Sequence, residues 1–392
     1  MEYNGLLIAA GSVDMAGGQV VNGSASWNGT TWAPFGGSGP EYGITELAEY
    51  NGNLIVGGYF STFNGVAANN IIMWDGTTWS AMGAGVAGSV FAMTVYNNEL
   101  YVAGNFFSAG GMSASRIARW NGTGWNSCAD GLQNVPEDII VYNGELYAGG
   151  EPNSSGGNPL GYIPRWNGTV WDSSGTGDFN GDVYCLEVYN GNLYAGGDFD
   201  YGDDHNYIAY WNGTSWLPCG AGMDDIVWDM EVYNGELYAG GDFWDADIVN
   251  DANYIARWNG SSWARCGAGA DESVEKLAVY NGKLYATGYF TTIDNVSVSY
   301  IAGWENTVGV DENYFSNSVN VYPNPSEGIF SITFDETQKT EVNVFNVLGK
   351  KVFASTINSE KATIDLSGQQ AGIYFAELFS EKGTTRKKLM IE

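Results

Sequence analysis

Apolar and polar residues alternate along most of the chain, and turn residues interrupt this alternation at regular intervals. In "LEVYNGNLYAGG" (Leu186 to Gly197), two alternating segments flank an Asn-Gly pair. Asn and Gly both tolerate the positive φ that the two central residues of a type I′ turn require. The segment therefore predicts a β-hairpin, and "IAYWNGTSW" (Ile208 to Trp216) predicts a second hairpin of the same kind.

Both hairpin signals recur through most of the chain, each of them seven times. The Tyr-Asn-Gly signal or a close variant returns every 44 to 47 residues, and a Trp-Asn-Gly signal or variant follows it each time. The marker residues are Tyr3, Tyr50, Tyr96, Tyr142, Tyr189, Tyr233 and Tyr280, and Trp27, Trp74, Trp120, Trp166, Trp211, Trp258 and Trp304. Two hairpins per repeat make four antiparallel strands, and a four-stranded unit of about 40 to 50 residues is typical of a β-propeller blade. The pattern predicts an all-β fold with a seven-bladed β-propeller over residues 1–308.

Both ends of this repeat array are incomplete. Only Met1 and Glu2 precede the first marker Tyr, and "ENTVGV" after Trp304 lacks the second Trp that the other repeats have. We expect either that the two ends complement each other in one blade or that sequence upstream of Met1, including a signal peptide, is missing.

The repeated aromatic residues are interpreted as packing between neighbouring sheets, because a residue present in every repeat most simply serves the core of that repeat. Trp228 and Trp244 lie outside the repeated positions. These two tryptophans are therefore the candidate ligand contacts.

The general repeat, "V-Y-N-G-x-L-Y-A-G-G" followed by "Y-I-A-R-W-N-G-T-S-W", resembles the Kelch-like propeller repeats of secreted bacterial proteins. The resemblance implies the fold. It implies little about activity, because propellers host unrelated functions.

The composition changes after the repeats. Residues 309–318 form a polar connector, and alternating segments over residues 319–392 predict a small Ig-like β-sandwich. This segment contains "YPNPSEGIFSI" from Tyr322, "VFNVLGKKV" from Val344 and "IDLSGQQAGIYFAEL" from Ile364, and it ends in "RKKLMIE".

These ordered motifs resemble the type A C-terminal sorting domain of the type IX secretion system of Bacteroidetes. The resemblance implies that the partner is the secretion machinery. It places the protein outside the cell or on the outer-membrane surface, after export through the periplasm. The motif positions are Pro323, Asn324, Pro325, Gly328, Gly349, Lys350, Gly372, Tyr374, Lys387 and Lys388.

Charge narrows the choice of partners. The chain has 45 acidic and 15 basic residues, a formal net charge of -30. Neither nucleic acid nor an anionic lipid surface gains counterion-release energy from such a protein, so both are excluded as unaided partners. No run of 18 apolar residues occurs, so no transmembrane helix is predicted.

Acidic residues concentrate in the loops of the later repeats. Of 34 acidic residues up to residue 309, 24 follow residue 140. Carboxylate and amide oxygens suit Ca²⁺, so a calcium site and a merely solvated acidic rim remain alternatives. The candidate metal ligands are Asp178, Asn180, Asp182, Asp198, Asp200, Asp203, Asp204, Asp242, Asp245, Asp247 and Asp251. Asp224, Asp225, Asp271 and Glu272 are expected on the same face. No cofactor is required by any motif.

Catalytic motifs are weak. His205 is the only His, no G-x-S-x-G accompanies it, and the four Cys form no C-x-x-C. No catalytic residue is assigned. The cysteines are expected to be buried free thiols, with Cys185 and Cys219 as the one pairing to test.

Two functions remain. The favoured one is a secreted or cell-surface binding or adhesion propeller that contacts a glycan or a surface protein. The alternative is an extracellular glycan-active enzyme, a hydrolase or lyase, since glycosidases need only two suitably spaced carboxylates. A spacer without a ligand is a third, plainer interpretation.

Overall fold

The computed structural model describes residues 1–37, 39, 43–151, 153–174, 179–200, 206–247, 249–304, 319–334, 339–346, 350–380 and 383–392. All regular structure in these ranges is β-strand. The chain divides into two compact units, Met1–Glu305 and Asn306–Glu392. The predicted linker, 309–318, lies outside the described residues. No described helix could cross a membrane.

The first unit contains the seven repeats, whose strands are as follows. Repeat 1 contains β1 (Glu2–Tyr3), β2 (Leu6–Ala10), β3 (Met15–Ala16), β4 (Gln19–Val20), β5 (Ser24–Trp27) and β6 (Trp32–Pro34). Repeat 2 contains β7 (Ile44–Tyr50), β8 (Asn53–Gly58), β9 (Thr62–Phe63), β10 (Val66–Ala67), β11 (Ile71–Trp74) and β12 (Trp79–Ala81). Repeat 3 contains β13 (Val86–Tyr96), β14 (Glu99–Ala109), β15 (Met112–Ser113), β16 (Ile117–Trp120) and β17 (Trp125–Ser127). Repeat 4 contains β18 (Pro136–Tyr142), β19 (Glu145–Gly150), β20 (Asn153–Ser155), β21 (Asn158–Gly161), β22 (Pro164–Trp166) and β23 (Trp171–Ser173).

The last three repeats follow the same scheme. Repeat 5 contains β24 (Asp182–Tyr189), β25 (Asn192–Asp200), β26 (Asn206–Trp211) and β27 (Trp216–Pro218). Repeat 6 contains β28 (Val227–Tyr233), β29 (Glu236–Gly241), β30 (Ile255–Trp258) and β31 (Trp263–Arg265). Repeat 7 contains β32 (Val274–Tyr280), β33 (Lys283–Gly288), β34 (Thr292–Ile293), β35 (Val296–Ser297) and β36 (Ile301–Trp304).

Each repeat forms its own antiparallel sheet, here numbered 1 to 7 after the repeat. The strand orders are β1-β2-β5-β6, β7-β8-β11-β12, β13-β14-β16-β17, β18-β19-β22-β23, β24-β25-β26-β27, β28-β29-β30-β31 and β32-β33-β36. The short pairs β3-β4, β9-β10, β20-β21 and β34-β35 form small hairpins after the second strand, and β15 pairs with β14. Every sheet is therefore a simple meander.

The Tyr-Asn-Gly hairpins have the predicted turn. In repeat 2, Tyr50 pairs with Asn53 across a two-residue loop in which Asn51 has φ 51° and Gly52 has φ 77°. The other six repeats carry two residues of positive φ at the same place. Because both central residues are left-handed, these are type I′ turns, and the prediction is confirmed.

The Trp-Asn-Gly hairpins do not have the predicted turn. Trp27 pairs with Trp32, so the loop contains four residues, and Gly29 alone has a positive φ, 95°. The Asn28 side-chain Oδ1 accepts the backbone N–H groups of Thr30 and Thr31 at 2.9 and 2.8 Å. The expectation of a second hairpin of the same kind is wrong, because here the Asn side chain organises the loop and its backbone is not left-handed.

The repeated tryptophans pack between sheets, as the sequence indicates. Trp125 and Trp263 are buried, and their indole N–H groups donate to Met82 O and Cys219 O of the preceding repeat, both at 2.8 Å. Large buried aromatic side chains supply much of the apolar area that neighbouring sheets share.

The marker tyrosines link each sheet to the next. Each Tyr hydroxyl donates to a backbone carbonyl in the Tyr-Asn-Gly turn of the following repeat, at 2.9 to 3.2 Å. The acceptors, in chain order, are the carbonyl oxygens of Gly52, Asn98, Gly144, Gly191, Gly235, Gly282 and Gly5. Since the hydroxyl of Tyr280 donates to Gly5, the series of seven hydrogen bonds is cyclic.

The two ends of the array do not share a sheet within the described residues. Sheet 1 contains strands of repeat 1 alone, beginning with Glu2–Tyr3. Sheet 7 has three described strands, and the positions after Trp304 lie outside the described part of the chain.

All four cysteines are buried free thiols, so the pairing of Cys185 with Cys219 is not formed. Burial raises the pKa of Cys128 to about 12. Burial also raises the pKa of Cys185 and Cys219, so these three thiols stay protonated. All four cysteines pack as small core residues.

The second unit contains β37 (Val319–Tyr322), β38 (Ile329–Phe334), β39 (Lys339–Asn346), β40 (Lys351–Asn358), β41 (Lys361–Asp365), β42 (Gly372–Ser380) and β43 (Gly383–Ile391). They form two antiparallel sheets, β37-β38-β41 and β40-β39-β42-β43. Phe330 and Ile332 of the first sheet pack with Val342 and Leu378 of the second in one apolar core.

Candidate binding site between the first strands

The first strand of six sheets carries a β-bulge at the same position. In β28 the register shifts between Val227 and Asp229, and Trp228 is the extra residue. The bulged residues are Thr45, Phe91, Glu137, Tyr184, Trp228 and Glu275. Trp228 is therefore not outside the repeat. The placement inferred from the sequence is wrong because this position holds Thr, Phe, Glu, Tyr or Trp in the six sheets, so no single residue type marks it.

Two of the bulged residues form an aromatic stack. The rings of Tyr184 and Trp228 have centroids 4.8 Å apart and planes inclined by 22°. Both side chains are half-buried. Because bulges re-aim side chains at strand ends, neighbouring sheets can present these two rings side by side.

A cleft of about 410 Å³ lies beside Trp228, between sheets 6 and 7. Its lining residues are Trp228, Asp242, Tyr254, Glu272, Ser273, Glu275 and Tyr289. Tyr289 is 64% exposed, an unusual state for a large aromatic side chain. The cleft thus combines three aromatic side chains with three carboxylates.

The carboxylates of the cleft act on one another. Burial raises the pKa of Glu275, and the Asp242 carboxylate raises it further. Burial also raises the pKa of Tyr254, to which Glu272 and Asp242 contribute. The adjacent Lys276 is engaged elsewhere, in a 3.1 Å ion pair with Asp229.

A second acidic group surrounds Tyr184. Burial raises the pKa of Glu137, with Asp182 and Glu151 contributing, and it raises the pKa of Asp182, with Glu151 and Asp198 contributing. The charges of all four carboxylates reach the Tyr184 hydroxyl, whose pKa is raised chiefly by burial. The aromatic stack therefore lies between two groups of carboxylates.

A cluster of charges lies between the first strands. Lys276 of sheet 7 interacts with Asp229, Glu46 and Asp138 of sheets 6, 2 and 4, which raise its pKa. Its side chain nevertheless remains 60% exposed, so water reaches this space.

Two of these carboxylates also connect neighbouring sheets. The Oδ2 atoms of Asp138 and Asp229 accept the N–H groups of Leu186 and Leu277, both at 2.7 Å. Each bond joins the first strand of one sheet to the first strand of the next.

Four of the predicted metal ligands, Asn180, Asp245, Asp247 and Asp251, have other partners, as does Asp224, which was expected on the same face. Asp224 Oδ1 accepts Trp244 N at 2.8 Å and Asp245 N at 2.9 Å. Asp245 Oδ1 accepts Asp251 N at 2.8 Å, and Asp251 forms a 3.2 Å ion pair with Arg265. These carboxylates replace missing backbone partners in loops.

The remaining candidates are spread along the same loops. Asp247 Oδ1 accepts Ala221 N at 3.2 Å, Asn180 Oδ1 accepts Asp200 N at 2.7 Å, and Asp198 is exposed. Within the described ranges no three Asp, Glu, His or Cys side chains converge on a point that could hold a metal ion. Asp178, Asp203 and Asp204 lie outside those ranges, and bound Ca²⁺ stays a prediction.

Trp244, the second ligand candidate, is 57% exposed. Its ring lies 5.6 Å from that of Tyr254, at an angle of 56°. It therefore adjoins the wall of the cleft through Tyr254.

The bulged residues Tyr184, Glu137 and Glu275, and the cleft residues Tyr254 and Tyr289, were not anticipated. A positional signal for the bulge exists. Each bulged residue lies five positions before the marker Tyr of its repeat, so alignment on that Tyr identifies it.

The first sorting motif holds the last strand. The Asn324 carboxamide donates to Lys388 O at 2.6 Å and accepts Met390 N at 2.9 Å. Ser326 continues the pairing, since its N–H donates to Met390 O and its carbonyl accepts Glu392 N, both at 3.0 Å. The two ends of the domain are thus joined.

Other motif residues support turns and strands. The peptide bonds before Pro323 and Pro325 are cis. At Gly328, φ is 102° and a Cβ would approach Ser367 Cα to 2.8 Å, so glycine is required. The Tyr374 hydroxyl donates to Gln370 O at 2.8 Å.

The remaining motif positions are simpler. Gly372 opens β42 with open space around it, and Lys350 N donates to Asn346 Oδ1 at 3.0 Å. Lys388 is exposed and Lys387 half-buried. Gly349 lies outside the described residues.

Comparison with known proteins agrees with the tail motifs. Residues 320–392 match the family model of the secretion system C-terminal sorting domain. The chain therefore carries a type IX sorting domain, whose partner is the secretion machinery, and it is exported to the cell surface or the extracellular space.

Beyond this domain the similarities are partial. An endo-acting ulvan lyase of Formosa agariphila is 33% identical over 89 residues, which is 22% of this chain and 17% of the lyase. PorZ, a surface component of the type IX secretion system of Porphyromonas gingivalis, is 12% identical with a TM-score of 0.38. The extracellular domain of the putative hybrid two-component system BT4673 of B. thetaiotaomicron is 13% identical with a TM-score of 0.41.

Each structural similarity covers 95% of this chain, which spans 63% of PorZ and 55% of the BT4673 domain. At such TM-scores neither similarity supports an assignment of blade architecture or activity.

Proposed function

We propose that the chain is an exported carbohydrate-binding protein whose first unit is a seven-bladed, Kelch-like β-propeller. In this proposal residues 1–308 form the propeller, residues 309–318 connect it to the tail, and residues 319–392 form an Ig-like sorting domain. The ligand binds where the bulged ends of the first strands meet.

The cyclic series of tyrosine hydrogen bonds supports the propeller. A linear stack of seven sheets would leave the last tyrosine without a turn to bond, whereas Tyr280 bonds Gly5 at 2.9 Å. The charge cluster supports it too, because Lys276 can interact with carboxylates from sheets 2, 4 and 6 only if the first strands surround a common axis.

The Tyr184–Trp228 stack carries the assignment of a carbohydrate ligand. Aromatic ring faces pack against the apolar C–H faces of sugar rings. Aromatic side chains at a binding site therefore provide the apolar area that a sugar ring can contact. Carboxylates around the stack can accept hydrogen bonds from sugar hydroxyls. Rigid sheets hold both, as a preorganised site requires.

Binding is favoured over turnover by the composition of the site. An acid and a base need carboxylates whose environments drive their pKa values apart. Here burial and like charge raise the pKa of Glu275, Glu137 and Asp182 alike, so these three carboxylates do not separate into an acid and a base among themselves.

A polysaccharide panel tests the proposal. The purified full chain is run through gels that contain neutral, amino and acidic polysaccharides, and the same mixtures are assayed for released reducing ends and unsaturated products. We expect retardation by at least one polysaccharide without product release. Absence of retardation on every gel contradicts the binding function, and released sugars would replace it with the enzyme alternative.

A further inference from the structure

We infer that the cleft between sheets 6 and 7 receives a positively charged group, so that the carbohydrate bound at this face is an amine-bearing one. The inference rests on the proposed function and specifies its ligand. Three observations support this inference: the aromatic walls of the cleft, its negative charge and the lack of a convergent metal geometry among the described residues.

The walls are aromatic. Trp228, Tyr254 and Tyr289 line a cleft of about 410 Å³, and the size falls within the range of small-molecule sites, roughly 300 to 1,000 Å³. An ammonium group over the face of an aromatic ring is attracted by the ring quadrupole, most strongly over Trp. An apolar wall of this kind accepts a sugar ring and its amine together.

The charge in the cleft is only partly compensated. Asp242, Glu272 and Glu275 form no ion pair in the described part of the chain, and Lys276, whose charge lowers the pKa of Glu275, forms its ion pair with Asp229. Because Asp242 raises the pKa of Glu275, like charges here repel each other. A cation from outside relieves that repulsion, whereas a uronate or sulfate group would add to it.

The spacing of the carboxylates in the cleft favours an organic cation over a metal ion. The described acidic side chains do not converge within metal-ligand distances. An ammonium group donates up to three hydrogen bonds, whose donor–acceptor distances are longer than metal–ligand distances. Carboxylates that are too far apart to ligate one metal ion can therefore share one ammonium group.

The test compares two ligands that differ in whether their amino groups are free or acetylated, and therefore in charge. Glucosamine hexaose and N-acetylglucosamine hexaose have the same β-linked backbone, but only the first carries ammonium groups at pH 6. Calorimetric titration of the full chain measures both dissociation constants. We expect glucosamine hexaose to bind at least tenfold more tightly, and the difference to shrink as salt is added, because exposed charges are screened.

Variants locate the effect. Asp242→Asn with Glu275→Gln should remove most of the difference between the two oligosaccharides. The control is Asp14→Asn with Glu49→Gln, which changes net charge equally at exposed positions of repeats 1 and 2 and should preserve the difference. Thermal unfolding of each variant confirms folding.

The outcomes separate the two proposals. Equal affinities for the two oligosaccharides, or equal effects of both double variants, overturn the inference and leave a carbohydrate-binding protein. Binding of another neutral glycan but of neither hexaose has the same consequence. If no glycan binds at all, the proposed function itself is contradicted.

Discussion

At the scale of single residues, equivalent tryptophans contribute differently according to what their indole N–H groups meet. Trp263 and Trp171 are the second tryptophans of repeats 6 and 4, and both are buried. Trp263 Nε1 donates to Cys219 O at 2.8 Å, whereas Trp171 Nε1 is buried without an acceptor among the described residues. Both indole rings are buried, but of the two only Trp263 donates a hydrogen bond to a described residue.

Replacing each by Phe should separate these contributions. Trp263→Phe leaves the Cys219 carbonyl with only the 3.4 Å bond from the Gly222 N–H, whereas Trp171→Phe removes an unsatisfied donor. We expect Trp263→Phe to lower the free energy of unfolding by about 1 kcal/mol more than Trp171→Phe. Urea unfolding of both variants measures this, and a larger loss in Trp171→Phe would contradict the bonding described.

Stability should also depend on the protonation of one residue between the first strands. Burial and the carboxylate of Glu231 raise the pKa of Glu187 to about 8. Between roughly pH 4.5 and 8 the folded chain therefore keeps a proton that the unfolded chain has lost, so the contribution of Glu187 to stability falls as pH rises.

Glu187→Gln removes this titration. We expect the variant to gain stability relative to the natural chain between pH 5.5 and 8.5, with Glu49→Gln as an exposed control that shows no such gain. Urea unfolding at the two pH values is the measurement. A gain that is equal at both pH values would contradict the raised pKa.

At the scale of elements, the sequence predicts a hairpin best where the backbone itself demands a residue type. Asn-Gly in a two-residue loop needs two left-handed residues, and the structure has them, as at Asn51 and Gly52. The same dipeptide after Trp27 belongs to a longer loop, because pairing of Trp27 with Trp32 sets its length. The residue types of the turn alone do not distinguish the two-residue loop from the four-residue loop.

The bulges show a second limit. Pairing of the first strand with the second strand of its own sheet, and not local residue preference, determines that one residue is extra in six of the first strands. Trp228 was identified as a ligand candidate from its type, but its stacking on Tyr184 depends on the neighbouring sheet. The walls of the cleft come from three separate segments, so only the fold brings them together.

One side chain supports the outer edge of the last strand of the sorting domain, whose other edge pairs with β42. The Asn324 carboxamide bonds both Lys388 O and Met390 N, in place of a neighbouring strand. In Asn324→Ala we expect the amide of Met390 to exchange with solvent roughly tenfold faster, since the lost bonds are worth about 1 kcal/mol or more.

Hydrogen–deuterium exchange of the C-terminal peptide of the full chain measures this. The control is Asn320→Ala, an exposed position of β37. Unchanged exchange at Met390 in Asn324→Ala would show that the strand is held without the carboxamide.

At the scale of the whole molecule, the proposed closed ring would make the seventh sheet equivalent to the others. The bond from Tyr280 to Gly5 spans 275 residues, whereas that from Tyr142 to Gly191 spans 49. In a closed ring both bonds lie between neighbouring blades, despite this difference in sequence separation.

Tyr280→Phe and Tyr142→Phe should therefore destabilise the chain equally, by about 1 kcal/mol each. Urea unfolding compares them. If Tyr280→Phe has no effect while Tyr142→Phe is destabilising, the first and seventh sheets are not joined in solution.

The excess of acidic residues in the first unit lies next to particular structural features. The first unit has 34 acidic and 7 basic residues up to residue 309. Seven of the acidic residues lie beside the aromatic stack or in its cleft: Glu137, Glu151, Asp182, Asp198, Asp242, Glu272 and Glu275. Many of the other carboxylates accept backbone N–H groups in loops, as Asp224 does. Charge thus serves loop structure and, in the proposed function, the choice of ligand.

The central claim is that the exported chain binds carbohydrate at the Tyr184–Trp228 stack. The most direct measurement is the dissociation constant of the polysaccharide retained in the gel panel, for Trp228→Ala and for Phe107→Ala. Phe107 is an aromatic control in repeat 3 that is 62% exposed. We predict that Trp228→Ala weakens binding about tenfold or more, as loss of a central aromatic contact of 1.4 kcal/mol or more requires, and that Phe107→Ala leaves it unchanged. Equal affinities for the two variants would contradict the account.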